Sequence, residues 1–321
     1  MPLSHLLAQE QEQQGESGRG GFGRELPREI GAWIHIEPDG SIVVYTGKVE
    51  FGQNIRTSLA QAVAEELHVP ITTVRLVMGD TDLTPFDMGT FGSRTTPTMA
   101  PQLRKAAAAA RETLIALAAE RWQVAPDTVR LVDARFVNHD QSKSMTLADI
   151  AKGLKLVKTI SPDVKTTPVE QWTIAGKSIA KVAGRGYVTG KHEYTSDLRR
   201  EGMLFGVVVR PPRLNATLET EQSFPAEIAG ARVVHDGNFL GVVAPDPQTA
   251  VNAAKAIKAR WKLTEQPSSA ELFDSFRKNA RDGRGRPVGS IAAGFAAADQ
   301  TLEQTYTVAY IAHAPLEPRA A

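Results

Sequence analysis

The chain has no cysteine in its 321 residues. This excludes disulfides, a thiol nucleophile and thiolate-held zinc or iron–sulfur clusters on these residues. An excess of charge is missing too: 37 Lys and Arg against 36 Asp and Glu leave a formal net charge of +1. That balance gives no electrostatic footprint for nucleic acid or an anionic membrane. No apolar run is long enough to span a bilayer. The opening MPLSHLLAQEQEQQGESGRGGFG lacks the basic-then-apolar order of a secretory signal and has no twin-arginine pair, so a cytoplasmic location is expected. The seven histidines never fall at a metal-ligand spacing, which argues against zinc.

What is present suffices for two domains with cores. Residues 1–28 are rich in Gln, Glu, Gly and Arg and read as a disordered tail. Within them GRGGFG (18–23) matches G-x-G-x-x-G, but a polar run precedes it where dinucleotide binding needs a strand. From Ile30 the pattern becomes globular. AWIHIEPDGSIVVYTG predicts a hairpin turned at Pro38-Asp39-Gly40. GKVEFGQN then leads into a helix with Leu59, Val63 and Leu67 on one face, and Ser58 with Gln61 has capping-box spacing.

The same order repeats. TVRLVM (73–78) reads as a strand, GDTDLTPFDMGTFGSRTTPTMA as a loop, and Pro101 to Trp122 as a helix with Leu103, Ala107, Ala110, Leu114 and Leu117 in an apolar stripe. Asp80 and Asp82, with Asp87 nearby, suit a self-capping turn better than a Mg²⁺ or Ca²⁺ loop. Residues 128–172 predict a short hairpin, a small helix and a linker. A second unit starts near Gly176, with a strand at 203–209, a hairpin at 231–244 turned at Asp236-Gly237-Asn238, and a helix over 247–261. A polar linker (265–300) and an alternating strand (301–315) follow.

Neither hydrolase nor Walker chemistry fits. Ser93 lacks the G-x-S-x-G context because position 91 is Phe, and Gly176-Lys177-Ser178 has Gln171 where the phosphate loop needs Gly. The two Gly/Gln/Ser/Thr loops ahead of helices are left. They read equally as a hydrogen-bonding cradle for an anionic, polar ligand or as ordinary helix capping.

GKVEFGQN with TSLAQAVAEEL, DTDLTP and TFGSRTT resembles a pterin-binding segment of the xanthine dehydrogenase/aldehyde oxidase family of molybdenum hydroxylases. GRGYVTGKHEYTSDLRREGMLFGVVVRPP resembles the start of that family's α/β-hammerhead domain, and HAPLEPRAA its next cofactor-domain motif. The order, with the pterin-like segment first, is similar to that in the branch of isoquinoline 1-oxidoreductase β-subunits.

The resemblance implies an α+β chain: a molybdopterin-binding α/β segment over 29–172, an α/β-hammerhead domain over 173–265, and a linker with the start of a second molybdopterin-binding segment over 266–321. Gly52 and Gln53 would contact the phosphate or pterin part of molybdopterin or its cytosine dinucleotide. Thr90, Gly92 and Ser93 would line the second loop, and Arg94 would pair with phosphate or cap the following helix. Asn54 stands where the family's G-Q-G has Gly. His313 and Glu317 would be structural supports.

The implied activity is oxidation of aldehydes or N-heterocycles with water as the oxygen source, the electrons leaving through [2Fe–2S] clusters on a partner subunit. The family's base glutamate has no counterpart here, so a second polypeptide carrying the rest of the site is expected, and the chain alone is expected to be inactive. A non-catalytic assembly module that keeps the fold is the alternative, and an unrelated two-domain binding protein a third. The cofactor reading requires the loops at Gln53 and Ser93 to open on the same side.

Overall fold

β1 (Ile34–Ile36) and β2 (Ile42–Thr46) form the expected antiparallel hairpin. Gly40 takes a φ of +87° in its turn, and Asp39 Oδ1 accepts the Ser41 N–H at 2.8 Å. β2 is β-branched and almost wholly buried, and it pairs in parallel with β3 (Val74–Met78). A parallel partner requires a crossover, which α1 (Ile55–Leu67) supplies. β3 then leads into α2 (Thr95–Trp122). This computed structural model describes residues 26–151, 156–219, 222–281, 288–312 and 314. The expected tail up to residue 25, with its GRGGFG match, lies outside the described residues, as do His313 and Glu317.

The two helices run parallel and in step. Ser58 on α1 touches Thr96 on α2, and Glu66 on α1 pairs with Arg104 on α2, both at a sequence offset of 38. Small side chains allow the approach: Ala60 and Ala64 on α1 are fully buried, and Ala106 through Ala110 on α2 are at most 7% exposed. Trp33, Ile34, Ile42, Leu59, Leu103 and Phe136 fill the core around them. Burying each such large side chain contributes about 1.5–3 kcal/mol.

α2 begins at Thr95, six residues before the expected Pro101. Pro97 takes the first-turn position, where a missing N–H costs nothing. Pro101 lies inside the helix on an exposed side, where water can satisfy the carbonyl that it leaves free. α1 likewise begins at Ile55, so Ser58 and Gln61 are interior residues and form no capping box. They serve tertiary contacts instead: Ser58 Oγ lies 3.2 Å from Thr96 Oγ1, and Gln61 Nε2 donates to the carbonyls of Ile174 and Lys177.

β4 (Val129–Val132), β5 (Arg135–Asn138) and β6 (Ser144–Thr146) form an antiparallel sheet, followed by α3 (Leu147–Ala151). The chain then returns across α1 and α2 as a strap. Its hold is two consecutive buried carboxylates on α1. Glu65 accepts N–H bonds from Thr173, Ile174 and Ala175. Glu66, with a fully buried side chain, takes Arg104 at 2.7 Å, Arg111 at 3.2 Å and the Thr167 N–H at 2.8 Å. Burial raises the pKa of Glu65, but the three backbone donors outweigh it and hold the carboxyl below its ordinary value. Residues 173–197, including α4 (Gly184–Val188), accordingly belong to the first compact unit, which runs to Asp197.

The second unit, 198–313, is built on the sheet β7-β11-β10-β9, formed by β7 (Phe205–Val208), β9 (Glu227–Ile228), β10 (Ala231–Asp236) and β11 (Phe239–Ala244). α5 (Pro247–Ala256) packs on it through Ala250 and Ala253, against Leu240 and Val242. Asp246 caps this helix by accepting the Thr249 N–H. The helix ends five residues short of the expected Trp261. Ile257 turns extended, and Trp261 instead joins β12 (Trp261–Lys262), which pairs with β8 (Thr217–Leu218).

The expected linker carries two short helices, α6 (Leu272–Lys278) and α7 (Ile291–Ala297). Residues 301–312 form no strand and are exposed throughout, although their sequence alternates. Alternation makes a strand only where a neighbour supplies the ladder. The mixed α and β class expected from the sequence is the one present.

Candidate functional site

The carboxyl ends of β2 and β3 are neighbours because the strands are parallel, so the loops that leave them, 47–54 and 79–94, share one end of the sheet. Side chains bind the loops together. Lys48 Nζ donates to Asp87 Oδ1 at 2.8 Å and to the Gly89 carbonyl at 2.7 Å, and both side chains of the ion pair are less than a tenth exposed. The Val49 N–H donates to Thr90 Oγ1 at 2.9 Å. Gly47 allows this closeness: a Cβ there would lie 2.5 Å from Asp87 Cβ and 2.7 Å from the Pro85 carbonyl oxygen. The first turns of α1 and α2 lie side by side through Ser58 and Thr96. Both helix heads therefore open on the same side.

The head of α1 already holds an anion. Glu50 is 7% exposed; its Oε1 accepts from the Gly52 and Asn54 N–H groups, and its Oε2 from the Arg56 N–H, each at 2.9 Å. Lys181 Nζ stands 3.9 Å from Oε1 and balances the charge. Gly52 (φ +94°) and Asn54 (φ +68°) adopt left-handed backbone around this carboxylate, and Asn54 bears the strain that its side chain brings there. Asn54 Oδ1 also accepts from the Thr57 hydroxyl at 2.6 Å.

Gln53 is exposed and folded over its own loop. Its Oε1 accepts from the Phe51 N–H at 2.6 Å and its Nε2 donates to the Val49 carbonyl at 3.0 Å. A carboxamide has two N–H donors and two acceptor lone pairs, so one of each is left to face outward.

The second loop is open. Gly92, Ser93 and Arg94 are exposed, Gly92 and Ser93 have φ of +64° and +54°, and no side chain among the described residues caps the head of α2. A Cβ at Gly92 would meet only the Arg94 side chain, at 3.6 Å. Val49, Leu83, Met88 and Phe91 leave apolar surface around the loops. The acidic turn at the start of this loop is self-capped, with Asp80 Oδ1 accepting from the N–H groups of Asp82 and Leu83.

All six residues singled out in the sequence thus lie on the two joined loops. Gly52 and Gln53 have their polar groups wholly or partly engaged within the first loop, and Thr90 bridges to Val49. Gly92, Ser93 and Arg94 are exposed on the second loop, and among the described residues no bond engages the Ser93 hydroxyl or the Arg94 guanidinium. Sequence reasoning missed Glu50 and the pairing of Lys48 with Asp87. An acid two residues before a glycine, itself just ahead of a helix, was the available signal for Glu50; nothing local pointed to a pairing 39 residues apart for Lys48 and Asp87.

The donor set fits molybdopterin in two parts. The second loop offers hydroxyl, guanidinium and uncapped helix N–H groups to an anionic portion. The first offers a neutral amide edge and no open anion site.

The chain is similar to several known proteins. A nicotinate dehydrogenase subunit of Pseudomonas putida is 33% identical over 307 residues, 92% of this chain but 26% of that protein. The β-subunit of isoquinoline 1-oxidoreductase from Brevundimonas diminuta is 25% identical over 90% of this chain and 44% of that protein. The chain therefore spans between about a quarter and under a half of the length of these relatives. Among solved structures, quinoline 2-oxidoreductase from Pseudomonas putida 86 matches with 28% identity and a TM-score of 0.34, over 37% of this chain and 15% of that one. Residues 15–195, which include both loops and both parallel helices, match the molybdopterin cofactor-binding domain. With more than half of its residues in that match, the chain belongs to the molybdopterin cofactor-binding domain family.

Proposed function

We propose that this chain supplies one wall of a molybdopterin site in a molybdenum hydroxylase that oxidises aldehydes or N-heterocycles. The observation that carries this reading is the opening of two polar loops side by side at the carboxyl end of parallel strands, within the segment matched to the cofactor domain. Ligands of α/β units gather at that end. The relatives named for nicotinate and isoquinoline support an N-heterocyclic substrate class.

When bound, the molybdenum cofactor supplies the redox chemistry, accepting electrons from the substrate carbon with water as the oxygen source. The residues of this chain bind and orient. Ser93 and the Arg94 guanidinium would hold the cofactor's phosphate, and Gln53 would offer its remaining N–H and lone pair to the pterin edge. The Lys48–Asp87 pair keeps the two loops at a fixed separation. The electrons would be taken up by [2Fe–2S] clusters on a partner subunit; these 321 residues contain no cysteine to hold one. A further polypeptide stretch supplies the remaining wall and the base, and residues 173–265, of which those from Leu198 on lie in the second unit, act as the α/β-hammerhead domain.

The test is co-expression with the polypeptides encoded alongside, followed by measurement of molybdenum and releasable pterin per assembly. Wild type is expected to carry both, and Ser93→Ala/Arg94→Ala to lose at least about tenfold of the pterin without loss of fold. Unchanged pterin in that double variant would sink the assignment of the second loop. An assembly with no pterin at all would favour a non-catalytic assembly module, a reading that the self-filled head of α1 also supports.

A further inference from the structure

We propose that Glu50 is a positioning residue that occupies the anion site at the head of α1, so that a ligand phosphate is excluded from the first loop and Gln53 meets only an uncharged part of the ligand. Resting on the cofactor reading above, this fixes the ligand's polarity: anionic end on the second loop, neutral hydrogen-bonding edge on the first.

The argument is one of donors. A helix head attracts anions because its first N–H groups lack partners. Here a carboxylate from four to six residues upstream takes the N–H groups of Asn54 and Arg56, and that of Gly52 as well. It is nearly buried and uses both oxygens, so it is not a loose surface acid. Lys181, the cation that an incoming phosphate would need, already faces Glu50 and also lies over the Tyr187 ring at 4.6 Å. The Arg56 guanidinium is turned away, donating to the Leu76 carbonyl of β3 at 2.7 Å. A phosphate arriving at this head would find the Gly52, Asn54 and Arg56 N–H groups already taken and Lys181 already paired.

The same carboxylate sets the shape of the turn. By gathering three N–H groups it holds Gly52 and Asn54 in left-handed backbone, and the residue between them, Gln53, is thereby pushed outward. Gln53 then spends one N–H and one lone pair on Val49 and Phe51 and keeps one of each. That remaining pair is complementary to an amide-like edge and is a poor match for an oxyanion, which accepts but does not donate.

The test uses the full chain, isotope-labelled for amide NMR, with inorganic phosphate and pyrophosphate as probes. In wild type the Gly52, Asn54 and Arg56 amide signals are expected to stay unmoved while those of Ser93 to Thr96 shift. In Glu50→Ala the first set is expected to shift saturably, with affinity raised at least about tenfold at that head. Glu50→Gln keeps the side-chain shape and is expected to give a smaller response of the same kind, which covers the case in which the alanine variant does not fold. Saturable shifts of Gly52, Asn54 and Arg56 in wild type would overturn the proposal, as would their silence in both variants. Phosphate is read without any pterin present, so failure of pterin binding in the assembly and failure of this assignment are separate results.

Discussion

Loops 47–54 and 79–94 leave adjacent parallel strands and enter adjacent parallel helices, yet their polar groups are used in opposite ways. In the first, Glu50 is buried and consumes the backbone N–H groups of Gly52, Asn54 and Arg56, while Gln53 folds back over its own loop. In the second, Gly92, Ser93 and Arg94 face solvent ahead of a helix whose head carries no side-chain cap among the described residues. The difference shows that a glycine- and hydroxyl-rich junction does not by itself leave the N–H groups of its helix head open. Whether it binds anything depends on whether the chain also carries a group that satisfies it first.

The comparison can be broken most forcefully at the ion pair that joins the loops. Lys48→Met leaves Asp87 nearly buried without its cation and is expected to cost about 3 kcal/mol, as for other buried pairs stripped of one partner. Denaturant unfolding measures this, and adding Asp87→Asn should recover part of the loss. A Lys48→Met chain as stable as wild type would mean that the loops are held together by something else.

A smaller effect is expected from crowding the seam. Gly47→Ala places a Cβ against Asp87 and Pro85 and should destabilise by about 1–3 kcal/mol, with faster hydrogen exchange in loop 79–94. Gly92→Ala meets no such obstacle, so its cost should be confined to the left-handed φ, about 1 kcal/mol. Equal effects at the two glycines would erase the contrast between a packed loop and an open one.

The smallest change is expected at the open loop itself. Arg94→Ala should move stability by no more than about 0.5 kcal/mol, as surface substitutions do, while weakening phosphate binding measured by calorimetry. A large stability loss would show that Arg94 is part of the framework and not free for a ligand.

Much of the frame is legible in the residues alone. The hairpin turned at Pro38-Asp39-Gly40, the strand at 74–78, the paired strands at 129–138 and the hairpin turned at Asp236-Gly237-Asn238 all follow from turn residues and β-branched runs. These signals are local, so a sequence window contains them. Helix starts are less legible. Proline favours a first turn, which points to Pro101, but Pro97 fills that role and α2 tolerates the second proline on its exposed side. Ser58 and Gln61 have the spacing of a cap and are used for packing against Thr96 and the strap. The strand expected at the end of the second unit is not formed within 301–312, because strand formation depends on a neighbour that alternation does not supply.

By itself, the sequence determined most of the order of strands, loops and helices in the first unit and which loops are rich in Gly, Gln, Ser and Thr, because turn chemistry, apolar periodicity and residue type act over a few positions. Only the tertiary structure decided that β2 and β3 lie side by side in parallel, which brings Lys48 to Asp87 and Val49 to Thr90 across about 40 residues of chain. It also decided which N–H groups remain free, since a donor is spent or available only once the carboxylate that reaches it has been folded into place.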